Sequence, residues 1–330
     1  MPTFSLPLSA TIIIAAVAAL AILLILLRTG WAWRIAVDIP NARSLHERPV
    51  PRVGGWGILP AALLLIAFCA PPLRGIALGA CVLGLVSLID DRRGLPARVR
   101  FAAHAIVVAA TVVTSATDIP WWLAVLAGIA MVWLVNLYNF MDGSNGLAGG
   151  MAVFGFGMYA IAAASTQAPL ALAAAAVAGA AAGFLVLNFP RAKIFLGDVG
   201  SIPLGFLAGA LGFWGWQHGT WPVWFPALAF APFIADSTVT LLRRAARGEK
   251  VWEAHREHYY QRLVQMTGRH EYVALTYYWL MLIGGAIALL ALHAPELMQW
   301  GCVVLWYAVL AIVGWQIDAR WRRFRQNSTA

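Results

Sequence analysis

The sequence predicts an all-α polytopic membrane protein of about ten to eleven transmembrane helices, N-terminus outside, with its active site at the cytoplasmic face. Three observations carry that expectation. Of 330 residues, 62% are hydrophobic and only 11% charged, about half the charge of a soluble domain. Apolar runs of about 20 residues, the length that crosses a bilayer core, recur from one end to the other. Laid across a membrane, these runs place nearly all basic residues on one side. No long polar segment interrupts them, so residues 1–330 read as one integral-membrane domain.

The first run, 6–27, has no basic residue before it and Arg28 after it. It reads as a span entering from outside and not as a cleavable signal. Runs at 54–71, 74–89, 99–116, 120–138, 147–165, 168–188, 201–217, 221–241, 272–293 and 297–317 bring the candidate spans to eleven. They read as helices, because lipid offers no partner to backbone N–H and C=O groups and the alternation of a membrane barrel is missing. The alanine-rich stretch 171–182 favours helix on propensity as well.

With this topology the segments 28–53, 90–98, 139–146, 189–200, 242–271 and the tail from 318 lie inside. Counting Arg100 at the edge of the next run, they hold 22 of the 23 Lys and Arg residues; Arg74 alone falls outside. This is the positive-inside bias. It accounts for the net charge of +9 without nucleic acid as a partner. Trp121, Trp122, Trp221, Trp224 and Trp300 are expected at the outer interface, and only the acids Asp118 and Glu296 lie on that side. Cys69, Cys81 and Cys302 have no paired spacing and read as core residues.

Polar clusters interrupt the runs, all on the inner side. Asn139, Asp142 and Asn145 stand among Gly143 and Gly146 after an apolar run; an acid there needs something to hold. Asp90-Asp91 closes the third run. A solvated helix end explains it blandly, but adjacent carboxylates repel unless a cation lies beside them. Arg98 and Arg100 follow at helical spacing and suit a phosphate. Asp198 lies between Gly197 and Gly200 at a helix start; a plain N-cap explains it, yet Ser201 can fill the cap and leave Asp198 for a metal. Asp236, inside the ninth run, should face the bundle interior in a supporting role. His255 and His258 are spaced i, i+3 with no third zinc ligand, and with Arg256 and Gln261 they suit an anionic group better than a metal. The first inner loop, Asp38 to Gly55, is basic and proline-rich, hence extended; with Arg52 it is either an anchor or a basic rim for phosphates. Carboxylates beside arginines suit a Mg²⁺-neutralised pyrophosphate.

Four of these motifs, in order over about residues 35–270, resemble those of the polyprenyl-phosphate N-acetylhexosamine-1-phosphate transferases (glycosyltransferase family 4). They are Asp90-Asp91 with Leu95-Pro96, Asn139-Phe140-Met141-Asp142-Gly143 through Gly146-Leu147, Phe195-Leu196-Gly197-Asp198-Val199-Gly200-Ser201, and the histidine loop. That family includes O-antigen-initiating enzymes and the phospho-MurNAc-pentapeptide translocase. The resemblance implies transfer of an N-acetylated amino-sugar 1-phosphate from a UDP-sugar to undecaprenyl phosphate, releasing UMP, at the bacterial inner membrane. Its cofactor would be Mg²⁺, with Mn²⁺ as the alternative. By resemblance Asp198 is the metal ligand, with Asp90 and Asp91 the acid pair tied to metal and acceptor phosphate and Asp90 the candidate base. Asp142 and His258 join them as catalytic candidates. Asn139 and Asn145 look like the nucleotide-side loop and Phe195 the face on which uracil stacks; Arg52, Arg98, Arg100, His255 and Arg256 complete the substrate-binding set.

The chain departs from the family where Asn145 replaces a frequent Asp, where Arg98 replaces a common Lys, and where the histidine run thins to His255 and His258. This form looks more like the O-antigen-initiating branch, which disfavours MurNAc-pentapeptide as the donor. The rival function is a secondary transporter or flippase of lipid-linked or anionic solutes, which would place acids near the bilayer midplane in two repeated halves. The oligomeric state, a homodimer included, is left open.

Overall fold

The computed structural model describes residues 6–40, 45, 47–117, 119–250 and 255–328. Asp118 and, in the first inner loop, Asn41 to Ser44 and His46 lie outside the described residues. The elements run α1 (Leu8–Arg28), the short α2 (Trp31–Ile35), a ribbon of β1 (Val37–Asp38) and β2 (Val50–Pro51), then α3 (Gly54–Cys69). A 3₁₀ turn leads into α4 (Arg74–Arg93), followed by α5 (Ala97–Ser115), α6 (Trp121–Phe140), α7 (Leu147–Ala163), α8 (Ala168–Asn188) and α9 (Asp198–Gln217). The chain ends with α10 (Phe225–Ala229), α11 (Ala231–Ala246), α12 (Tyr259–Thr267), α13 (His270–Ala291) and α14 (Glu296–Ser328).

Eight helices among the described residues are long and apolar enough to cross a membrane; α3 and α7 are apolar but shorter. The bundle is built around α8 and α9. In α9 every residue from Val199 to Gly215 is buried, and α8 is buried continuously from Leu170 to Ala181. Small residues let their neighbours approach this closely, as between helices that share no hydrophobic drive to associate in lipid. At one crossing α3 meets α9 backbone to backbone: a Cβ on Gly55 would stand 2.4 Å from the Gly200 nitrogen.

The expected ninth span, 221–241, is not one helix. It breaks at Phe230 between α10 and α11. Pro226 and Pro232 each sit in the first turn of one piece, where the missing N–H is harmless, but Pro232 cannot continue the preceding helix. The second piece turns a polar stripe inward, with Asp236, Thr240 and Arg244 all buried one turn apart.

The tryptophans also divide. Trp121, Trp122 and Trp300 are exposed on the bundle flank. Trp221 and Trp224, expected at the interface, are buried instead: the Trp221 indole donates to Gly212 O at 3.1 Å, and that of Trp224 to Gln299 at 3.1 Å. Both rings plug the bundle end opposite the acids. A further departure from the all-helical expectation is the small antiparallel ribbon, in register Val37↔Pro51 and Asp38↔Val50. Prolines at 40, 49 and 51 favour extended backbone there.

The crossing at Gly55 yields a test. Gly55→Val should overpack α3 against α9 and cost at least about 1–3 kcal/mol. It should lower the thermal midpoint of detergent-solubilised protein, whereas Gly75→Ala, with nothing within 4 Å of its Cβ position, should leave it unchanged.

Candidate active site

The ends of α4, α6 and α8 and the starts of α3, α5, α7, α9 and α12 meet at one end of the bundle. Residues 51–55 run alongside 195–196. Phe195 N donates to Pro51 O at 2.8 Å, Gly54 N to Phe195 O at 2.8 Å, and Gly55 N to Leu196 O at 3.0 Å. Arg52 therefore bridges to Phe195 as in a parallel sheet. Gly197 turns the chain with φ 71°, an angle that favours glycine, and Asp198 opens α9.

The two adjacent acids face different ways. Asp90 is engaged at both oxygens: Leu95 N donates to Oδ1 at 2.6 Å, and Arg100 to Oδ2 at 2.9 Å. It closes the α4–α5 turn. Asp91 faces inward, 3.5 Å from Arg52. Asp198 has Asp91, Arg52, Arg100 and Asp90 as electrostatic neighbours. Asp142, in the α6–α7 loop, accepts from the Gly197 N–H and feels Asp198, Asp38 and Arg52. Burial, then the Asp198 charge, pushes its carboxyl well above the usual range. Arg52 lies among these acids, and its buried Nε has no hydrogen-bond partner among the described residues.

The α6–α7 loop is pinned on all sides. Asn139 accepts from Ser201 Oγ at 2.9 Å, tying α6 to α9. Asn145 donates to Pro190 O at 3.3 Å. Tyr260 OH donates to Phe140 O at 3.0 Å and Tyr278 OH to Gly146 O at 2.7 Å. Ser144 Oγ meets His270 Nδ1 at 2.9 Å. Asn188 binds both loops at once, accepting from Gly146 N at 2.6 Å and donating to Ile194 O at 2.8 Å.

His258 is buried at the N-terminus of α12, stacked on Phe140 with ring centroids 6.2 Å apart. Asp236 holds it there: its carboxylate accepts from the Tyr259 and Tyr260 N–H groups at 2.9 and 3.0 Å and from Tyr277 OH at 2.5 Å, and meets His258 Nδ1 at 3.2 Å. An acid from α11 thus caps α12, which fulfils the supporting role expected of it. His255 lies beside His258, with centroids 4.8 Å apart. Burial, with His258 and Arg244 nearby, lowers its ring to about 4, which leaves it an uncharged hydrogen-bonding group near neutral pH.

The structure thus gathers Asp91, Asp142, Asp198 and Arg52 into one cluster. Asp90 with Arg100, the Asn139–Asn145 loop, Phe195 and His258 line its edges. Two expected residues lie apart. Arg98 is exposed on the first turn of α5, and Arg256 is exposed beside α14. Asp38 and Asn188 belong to the site although the sequence did not single them out. Asn188 had left a signal, an amide closing an apolar run before Phe189-Pro190; Asp38 had left none beyond its charge in a basic loop.

Among the described residues no three carboxylate, histidine or cysteine side chains form a preformed metal cage. Mg²⁺ does not need one: it keeps several waters and takes one or two carboxylates together with substrate phosphates. An all-oxygen donor set of mutually repelling acids fits that ion.

The family model described as glycosyl transferase family 4 matches residues 73–215. A probable undecaprenyl-phosphate N-acetylglucosaminyl 1-phosphate transferase of Bacillus subtilis is 28% identical, over 86% of this chain and 84% of its own. A decaprenyl-phosphate N-acetylglucosaminephosphotransferase of Mycobacterium leprae is 30% identical, over 74% of this chain and 73% of its own. An undecaprenyl-phosphate alpha-N-acetylglucosaminyl 1-phosphate transferase of Yersinia pestis is 25% identical, over 87% and 85%.

The raised carboxyl of Asp142 fixes the sign of a stability test. Its ionisation is disfavoured in the folded state, so the protein loses stability as pH climbs from the unfolded value of about 3.9 through the raised one. Asp142→Asn should therefore raise the thermal midpoint of metal-free protein at pH 7–8, with the gain vanishing near pH 4.

Proposed function

The chain belongs to the polyprenyl-phosphate N-acetylhexosamine-1-phosphate transferases of glycosyl transferase family 4, and from that membership we propose that it transfers N-acetylglucosamine 1-phosphate from UDP-N-acetylglucosamine to undecaprenyl phosphate. The observation that carries this reading is the cluster of Asp91, Asp142 and Asp198 around Arg52 at a single end of an apolar bundle. In the proposed reaction an oxygen of the acceptor phosphate attacks the sugar-bearing phosphorus. The bond from that phosphorus to the bridging oxygen breaks, and the oxygen leaves with UMP. Like charges meet in this step, so the rate must come from positioning and charge neutralisation.

Within that scheme Arg52 offers to a phosphate its Nε, which has no hydrogen-bond partner among the described residues. Asp91, turned inward, takes any proton the acceptor phosphate carries, while Asp90 orients Arg100 beside it. Asn139 and Asn145 present amides to uracil, and Phe195 its ring. His255, in its neutral form, and His258 hydrogen-bond the diphosphate. Mg²⁺, when bound by Asp198 and Asp91, supplies neutralisation of the diphosphate charge. The polyprenyl tail lies in an apolar groove of about 750 Å³ between α5 and α6, lined by Val108, Val112, Gly128 and Val132 and ending at Phe140, the ring stacked on His258. The active end faces the cytoplasm of a bacterial inner membrane, and the product starts O-antigen or another envelope polysaccharide.

Purified protein given UDP-N-acetylglucosamine, undecaprenyl phosphate and Mg²⁺ should release UMP. Asp198→Asn, Asp91→Asn and Asp90→Asn should each lower the rate by about 10²–10³-fold or more; normal turnover in Asp198→Asn would remove the metal assignment. Gly128→Trp, which fills the groove, should raise KM for the lipid acceptor and leave that for the nucleotide sugar unchanged.

A further inference from the structure

We propose that Asp318, on the last helix, is a positioning residue that sets the place of His258. The proposal rests on the reading of His258 as part of the active site. Helix α14 has 33 residues, where about 20 cross a bilayer core. Asp318 lies on the overshoot, at the same end as the acid cluster, and is only 9% exposed.

Three groups converge on its carboxylate. Arg262 donates to Oδ1 at 2.7 Å, Arg243 pairs with Oδ2 at 2.6 Å, and Tyr259 OH donates to Oδ2 at 3.3 Å. The two guanidinium carbons also lie 5.4 and 5.7 Å from the centroid of the Tyr259 ring. One turn earlier on α14, Gly314 leaves a notch for that ring: a Cβ there would stand 3.1 Å from the Tyr259 oxygen. The phenol is thus held on four sides.

Tyr259 is the link to the site. It directly follows His258, and its own N–H donates to the Asp236 oxygen that also meets His258 Nδ1. Asp236 grips the first turn of α12 by its backbone; Asp318 grips the same turn by the phenol of Tyr259 and the guanidinium of Arg262. A membrane anchor would need no more than exposed arginines at the helix end, and Arg320, Arg322, Arg323 and Arg325 supply those. A buried acid that gathers two arginines and a phenol from two other helices instead fixes an orientation. Releasing it lets the α12 turn rotate about the Asp236 bonds and carries the His258 ring off its stack on Phe140.

A double-mutant cycle on the full-length protein tests this. Asp318→Ala should lower kcat for UMP release about tenfold with KM for the nucleotide sugar little changed, and should cause no further loss in a His258→Ala background. Tyr259→Phe should lose about two- to threefold with the same non-additivity, and Asp318→Asn, which keeps an oxygen for Arg262, should recover most of kcat. If Asp318→Ala fails to fold, Tyr259→Phe and Arg262→Gln carry the test. A readout independent of turnover separates this proposal from the activity itself. Carbethoxylation of the buried His258 by diethylpyrocarbonate, followed by mass spectrometry, should quicken several-fold in Asp318→Ala and Tyr259→Phe. Equal fold-losses in both backgrounds, or unchanged His258 labelling, would overturn the role of Asp318; no UMP release by the unmodified protein would overturn the transferase reading alone.

Discussion

Everything at the acidic end depends on how closely α3 can cross α9. With glycine at both positions 55 and 200 the backbones touch, and the strand-like segments leading into the two helices are drawn side by side. Arg52 and Phe195 become neighbours through main-chain hydrogen bonds. The only rigid way to hold a cation among three acids is to fix the backbone that bears it, because a long side chain alone would lose too much rotamer freedom. The site is therefore assembled by helix packing first and by charge second.

That order resolves an electrostatic difficulty. Asp91, Asp142 and Asp198 are partly withdrawn from water, and the Asp198 charge is felt by Asp142 as that of Asp91 is by Asp198; Arg52 and Arg100 offset part of this repulsion. Most other acids at this end are spent on structure: Asp90 on a turn, Asp236 on a helix cap, Asp318 on the last helix. Among the described residues each of these three makes two or more hydrogen bonds, and the clustered acids make fewer. The contrast sets carboxylates that hold the fold apart from those that make the cluster a candidate site.

Much of this was legible in the sequence, and the reason is physical. A carboxylate or amide inside an apolar run is conspicuous, so Asp91, Asn139, Asp142 and Asp198 stood out, and the basic asymmetry placed them together. The same contrast hid Asp38, an acid in an already polar loop. It also misread Trp221 and Trp224: an indole at the end of a run suits an interface and a hydrogen-bonded interior equally, and only the partners Gly212 and Gln299 decide between them. The break at Phe230 was written in Pro226 and Pro232 but masked by hydropathy, which averages over a kink. Arg98 and Arg256 drew attention by charge and spacing, yet the first turn of α5 points Arg98 outward and the loop before α12 leaves Arg256 exposed.

The broken segment has a consequence for how the chain is made. Helix α11 carries a buried acid and a buried arginine within 16 residues, and each opposes partition of an isolated helix into lipid. Besides Thr240 within α11, the partners of Asp236 are His258, Tyr259, Tyr260 and Tyr277 on later elements. Those bonds can close only once α12 and the start of α13 have been made. Assembly of the acidic end is in that sense a closing event, finished only when the elements that follow α11 are in place.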